Sequence, residues 1–153
     1  MEIANQINII LSEYAKGNKL SSYKKIIKIF KKNKENEKLR FNVAVIEQDL
    51  DLNENAIKNY RYLIENHNHK KSMMNLYLLL IKEFQYNEAL QLIEKILIID
   101  NSLLNVWTDK AYVLYKIENI EESIKVCNFI LKNKTDDLYI QNILASCFLH
   151  KEL

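Results

Sequence analysis

The chain has 153 residues, one domain's length, enough to bury roughly 70% of the surface its unfolded form exposes. It has no Pro and one Gly, Gly17, which excludes Gly-rich phosphate loops, Rossmann and Walker-type nucleotide sites and hairpin-rich β folds, since all of these need the positive φ or close approach of Gly. With 48% hydrophobic and 27% charged residues and a net charge of +2, the composition is that of an ordinary soluble protein, and the longest apolar run, residues 76–81, is far too short to span a bilayer.

The amino terminus lacks the basic region, apolar run and small-residue cleavage site of a secretory signal, so the cytoplasm is the expected location. Apolar residues at helical spacing, separated by polar breaks, predict nine helices: about 2–16, 20–32, 37–50, 53–66, 71–83, 86–99, 103–117, 120–133 and 137–150. The second places Tyr23, Ile26, Ile27 and Phe30 on one face and Lys24, Lys25, Lys28, Lys31 and Lys32 on the others. It belongs to a mildly basic half, with 14 basic and 9 acidic residues in 1–76 against 8 and 11 in 77–153. A solvated lysine face is expected there and no nucleic acid, because Arg40 and Arg61 are the only arginines and Arg does most bidentate phosphate work.

His67-x-His69 falls in the break after the fourth helix with no Cys nearby and the third His at 150, so no metal is expected. Cys127 and Cys147 lie inside the last two helices without CxxC spacing and are expected as free core thiols. Glu121–Glu122 and Asp136–Asp137 stand at helix starts, where carboxylates are favoured. No nucleophile, acid–base pair or cofactor motif is recognisable, and no enzymatic activity or cofactor is expected. The ninth helix is apolar almost all round, with Leu138, Tyr139, Ile140, Ile143, Leu144, Phe148 and Leu149. Something should cover it: either the chain continues in a longer protein, just before the second helix of a fifth hairpin, or two copies pair through Ile140 and Leu149, with Leu144 turned toward its own hairpin.

The chain repeats itself. Paired positions beginning at Ile10, Val43, Leu76, Lys110 and Leu144 step by 33, 33, 34 and 34, and Tyr23, Ala56, Ala89 and Ser123 step by 33, 33 and 34. Short loops make successive helices antiparallel neighbours, and small residues such as Ala44, Ala56, Ala89, Ala111 and Ser123 let the two helices of a hairpin approach closely.

Trp107-x2-Lys110-Ala111-x2-Leu114 with Ser123-x3-Cys127, and Met73-x2-Leu76-Tyr77-x2-Leu80 with Tyr86-Asn87-Glu88-Ala89-x3-Ile93, are the best-matched repeats. Arg40-x2-Val43-Ala44 with Ala56-x3-Tyr60, and Ile7-x2-Ile10-Leu11-x2-Tyr14 with Tyr23-x3-Ile27, are weaker versions. Together they resemble tetratricopeptide repeats over nearly the whole chain. Departures are the missing Pro at each repeat end, Lys110 at an apolar position, and Leu11 and Tyr77 in small-residue slots; Tyr77 must spread its helices or find a gap beside a smaller neighbour.

The resemblance implies an all-α fold, a right-handed superhelical array of antiparallel helix pairs. It forms one domain over 1–153, with repeats at about 4–36, 37–69, 70–103 and 104–137 and a terminal helix at 138–150. It also implies a groove lined by the first helix of each hairpin, with Asn8 and Ser12, then Lys38, Phe41, Asn42 and Val45, then Lys71, Asn75 and Leu78, then Asn105, Asp109, Tyr112 and Lys116. Amide side chains suit an extended peptide, offering a donor and an acceptor to its unpaired backbone. The expected partner is a protein or extended peptide. Family members that capture chaperone tails use a Lys and Asn, then an Asn, then a Lys and Arg; here only Asn42 and Lys71 match, so tail capture is not expected. The expected function is a binding scaffold, the alternatives being an amino-terminal accessory module of a larger bacterial transferase (sulfotransferase or glycosyltransferase) or a secretion chaperone.

Overall fold

Amphipathic segments with short polar breaks fold as nine helices among the described residues, 3–133 and 136–151 of a computed structural model. They are α1 (Ile3–Ala15), α2 (Lys19–Lys32), α3 (Glu37–Asp49), α4 (Asn53–His67), α5 (Lys70–Lys82), α6 (Tyr86–Ile99), α7 (Leu104–Lys116), α8 (Ile120–Asn133) and α9 (Leu138–Lys151). The boundaries match the expected ones to within about two residues, the usual uncertainty of helix ends. The expected break at Lys134 and Thr135 lies outside the described residues.

Every hairpin closes with the same turn. Gly17, Asp51, Phe84 and Glu118 take left-handed φ values of 97°, 56°, 59° and 61°, one repeat apart. In each case the next residue's N–H bonds to the carbonyl five residues back: Asn18 to Glu13, Leu52 to Glu47, Gln85 to Leu80 and Asn119 to Leu114, at 2.8–3.2 Å. This is the Schellman closure, usually built on Gly. The Gly-poor chain builds three of the four on Asp, Phe and Glu instead, accepting the strain that a Cβ brings to that region.

The chain divides into two compact units, Met1–Leu76 and Tyr77–Leu153, with the division falling within α5. In the first unit Ile7, Ile10, Ile26, Leu39, Val43 and Ile46 form a core flanked by Tyr14, Tyr23 and Phe30. Ala44 on α3 and Ala56 on α4 are fully buried, as close approach of these helices requires. Beside this core Glu47 is almost fully buried and accepts from the Tyr23 hydroxyl (3.1 Å) and the Asn59 amide (2.8 Å), while Arg40 donates to Asn59 (2.9 Å) and lies 3.6 Å from the Tyr62 ring centroid. Burial pushes the Glu47 carboxyl upward despite those two donors.

In the second unit Ala111, Leu114, Ile120, Val126, Cys127, Ile130, Ile140, Ile143 and Cys147 form one core of α7, α8 and α9. The buried Ser123 hydroxyl donates to the Ala111 carbonyl (2.8 Å), pinning the α7–α8 hairpin at its small-residue contact. Both cysteines are free and buried, and desolvation pushes the Cys127 thiol up to about 11. Tyr77, in its small-residue slot, is fully buried in this unit, and its hydroxyl donates to Asp109 on α7 at 3.0 Å.

Candidate functional site

Asn36 caps α3, its side chain accepting the Leu39 N–H (2.9 Å), so Glu37, Lys38, Phe41 and Asn42 follow on the first two turns of a fixed helix. His69 caps α5 in the same way, its Nδ1 accepting the Ser72 N–H (3.1 Å) and sharing a hydrogen bond with the Ser72 hydroxyl (2.8 Å). These two helix starts meet around a cleft of about 540 Å³ lined by Asn36, Glu37, Lys38, Phe41, Asn42, His69 and Lys71. Phe41 forms its apolar wall, 4.9 Å from the His69 ring and 6.2 Å from the Tyr60 ring. Glu37 stands between His67 Nδ1 (3.6 Å) and His69 Nε2 (3.8 Å). Lys38 and Lys71 are exposed and form no ion pair among the described residues. The cleft therefore presents two uncommitted cations and one uncommitted amide, Asn42, beside an aromatic wall.

Ser72, His69 and Glu37 fall in the order of a serine–histidine–acid relay, but Ser72 is fully buried and its hydroxyl is spent on the helix cap. Among the described residues no group of three His, Cys, Asp or Glu side chains is placed to hold a metal ion.

No protein-family model matches the chain, and no curated protein matches it in sequence. Solved structures do match. MamA from Desulfovibrio magneticus superposes with a TM-score of 0.80 at 14% identity, covering 95% of this chain and 82% of that one. A tetratricopeptide repeat protein from Parabacteroides merdae gives 0.74 at 21% identity, over 94% of this chain and 56% of that one. A further MamA structure gives 0.80 at 11% identity, over 96% and 81%. The fold is that of the tetratricopeptide repeat.

Within that fold, four of the expected groove residues, Lys38, Phe41, Asn42 and Lys71, gather in the first-unit cleft. Asn75 does not join them as a free group: half-buried, it donates to the Tyr60 hydroxyl (3.1 Å), which in turn donates to Gln48 (2.8 Å). Burial pushes the Tyr60 phenol up to about 12, keeping it a neutral link in that chain.

In the second unit Asp109, at the repeat position of Asn42 and Asn75, is half-buried and committed to Tyr77; burial raises its carboxyl. Leu78 is exposed there. Tyr112 is half-buried, edge-on to Tyr86 at 6.2 Å, and Lys116 lies 5.5 Å from its ring. Ile140 needs correcting: it is fully buried in the α7–α8–α9 core and offers nothing to a second copy, because the 34-residue step aligns it with buried Val106. Leu144, expected to face its own hairpin, is partly buried against that core, whereas Leu149 is exposed as expected. Sequence reasoning missed the neighbours Asn36 and Glu37 and, some 30 residues further along the chain, His69, which meets them only on folding. No helix among the described residues is long and apolar enough to cross a membrane.

Proposed function

We propose that the protein is a non-enzymatic scaffold that holds an extended, acidic segment of a partner polypeptide in the α3–α5 cleft of its first unit. The observation that carries this reading is the convergence of Lys38, Asn42 and Lys71, none committed to another side chain, around Phe41. An extended peptide brings unpaired backbone groups that an amide can both donate to and accept from, and its acidic side chains meet the two lysines. Glu37 sets one negative charge against the two lysines, which leaves the lining of the cleft positive on balance.

An array of decapeptides spanning acidic, neutral and basic compositions, probed with the purified chain, tests this. Acidic peptides with an apolar residue should be retained. Each partly exposed lysine contact is worth at most about 1 kcal/mol, so Lys38→Gln with Lys71→Gln should weaken retention about ten-fold. Lys24→Gln with Lys28→Gln, on the α2 lysine face, should leave it unchanged. Retention that follows the α2 lysines and ignores Lys38 and Lys71 would overturn the assignment.

A further inference from the structure

Resting on the α3–α5 cleft as a peptide site, we propose that its guest carries a two-part motif, an acidic side chain and, three residues away, an apolar one that seats in a second cleft between α1 and α3. This second cleft encloses about 520 Å³. Four of the residues lining it are apolar, Ile3, Ala4, Ile7 and Leu39, and three are polar, Asn8, Asn36 and Lys38. Asn36 and Lys38 line the α3–α5 cleft as well, so the two clefts adjoin and a guest lying in one runs on into the other.

The two clefts are one arrangement occurring twice. The 33-residue step maps Ile3 onto Asn36, Ala4 onto Glu37 and Asn8 onto Phe41 on the earlier helix of each cleft, and Asn36 onto His69 and Lys38 onto Lys71 on the later one. The later helices agree: each is capped by the mapped residue, Asn36 or His69, and each brings a lysine two residues on. The earlier helices differ. Where α3 turns Asn36 and Glu37 to its cleft, α1 turns Ile3, 42% exposed, and exposed Ala4, above the buried Ile7 and Leu39. The α1–α3 cleft has one charged residue, Lys38, and no carboxylate, whereas the α3–α5 cleft has two lysines and Glu37. An apolar side chain is therefore favoured in the first and an acidic one in the second. Asn8 bonds to no described residue, and Asn36 spends only its oxygen on the cap, so both amides keep N–H groups for the carbonyls of the guest. The spacing follows from the helices. Ile7 and Ile10 of α1 share a core with Leu39 and Val43 of α3, and helices packed in this way lie about 10 Å apart. A pleated strand turns residues i and i+3 to opposite faces. A polyproline-type chain turns them to the same face about 9 Å apart, which matches one helix spacing.

The test uses the whole chain and fluorescently tagged decapeptides of one composition, each with one Leu and one Glu on a serine and glutamine background, separated by one to six positions in both orders. Anisotropy should show the tightest binding at a separation of three in one of the two orders. In that peptide Leu→Ser should weaken binding about ten-fold, the effect of losing a largely buried apolar side chain, and Glu→Gln should weaken it several-fold. Ile3→Asn with Ala4→Glu gives α1 the residues that α3 carries at the mapped positions, both at exposed sites that keep helicity intact by circular dichroism. It should reduce the Leu-to-Ser discrimination to less than two-fold and leave the Glu-to-Gln discrimination in place. Ala4→Phe, which fills the cleft from an exposed position, should weaken the Leu peptide about as much as Leu→Ser does. Lys71→Gln, in the α3–α5 cleft alone, should do the reverse of the first variant, reducing the Glu-to-Gln discrimination and sparing that for Leu. Binding that responds to Lys71→Gln but is indifferent to the position of Leu and to the Ile3 and Ala4 variants overturns the motif and leaves the α3–α5 peptide site standing. A maximum at another separation, or discrimination for Leu that ignores the Ile3 and Ala4 variants, also overturns it. Absence of saturable binding by every member overturns the peptide site and the motif together.

Discussion

Tyr77→Phe removes one hydroxyl and nothing else, and the structure says what that hydroxyl does. Its ring is fully buried, and the hydroxyl donates at 3.0 Å to Asp109, a half-buried carboxylate whose pKa burial raises and this bond lowers. A hydrogen bond to a charged group contributes about 1.5–3 kcal/mol, and half-exposure of the acceptor puts this one at the lower end, about 1.5–2 kcal/mol. For a chain of this length that corresponds to a drop in Tm of about 3–8 °C. The pH dependence has a definite sign. A carboxyl whose folded pKa is raised contributes stability that is present below its unfolded pKa and lost as pH rises through its folded one. Losing the Tyr77 donor raises Asp109 further, so the deficit of Tyr77→Phe should be largest at neutral pH and shrink as the medium is acidified toward pH 4.5. Urea unfolding followed by helical circular dichroism at both pH values measures it. A double-mutant cycle with Asp109→Asn should show non-additivity of about 1 kcal/mol. A deficit below about 0.5 kcal/mol that is flat with pH would refute the pairing, since even a neutral hydrogen bond is worth that much.

Ile140→Ser should cost about 3–4 kcal/mol and melt α9 from its core, whereas Leu149→Ser, at an exposed position, should change stability by less than about 0.5 kcal/mol; thermal melts of the two variants side by side decide it. Trp107 is only half-buried, held by its ring N–H donating to the Asn101 carbonyl (2.9 Å) and by Phe129 at 5.0 Å. Trp107→Ala should therefore cost about 2–3 kcal/mol, less than a fully buried Trp, and its fluorescence maximum should lie between the buried and the water-exposed extremes. Ser22 is fully buried with no partner for its hydroxyl, so Ser22→Ala should leave stability unchanged or raise it by about 1 kcal/mol, read by urea unfolding.

The helices were legible because each carries an apolar stripe at helical spacing bounded by polar residues, and the repeat was legible because small residues return in step. The hairpin turns were hidden: Asp51, Phe84 and Glu118 do the work that Gly signals elsewhere, and only Asp51 has a side chain that favours a left-handed φ at all. Four of the seven residues lining the cleft could be read by counting from the repeat markers, which placed Lys38 and Lys71 at one repeat position and Phe41 and Asn42 a helical turn further on. Counting could not say which polar groups are already spent. Asn42, Asn75 and Asp109 share one position, yet Tyr60 takes up the second and Tyr77 the third. The large residue in a small-residue slot was the visible clue to the Tyr77–Asp109 bond. Ile140 was misplaced because α9 is apolar on every side and its pattern alone selects no face; alignment with buried Val106 resolves it.

Binding of a partner polypeptide where Lys38, Phe41, Asn42, His69 and Lys71 converge can be followed by titrating the best-retained array peptide into isotopically labelled protein and recording backbone amide resonances. Saturable shifts should concentrate at residues 36–42 and 69–72, and Lys38→Gln with Lys71→Gln should raise the titration midpoint about ten-fold. Shifts of equal size that leave those segments silent would contradict it.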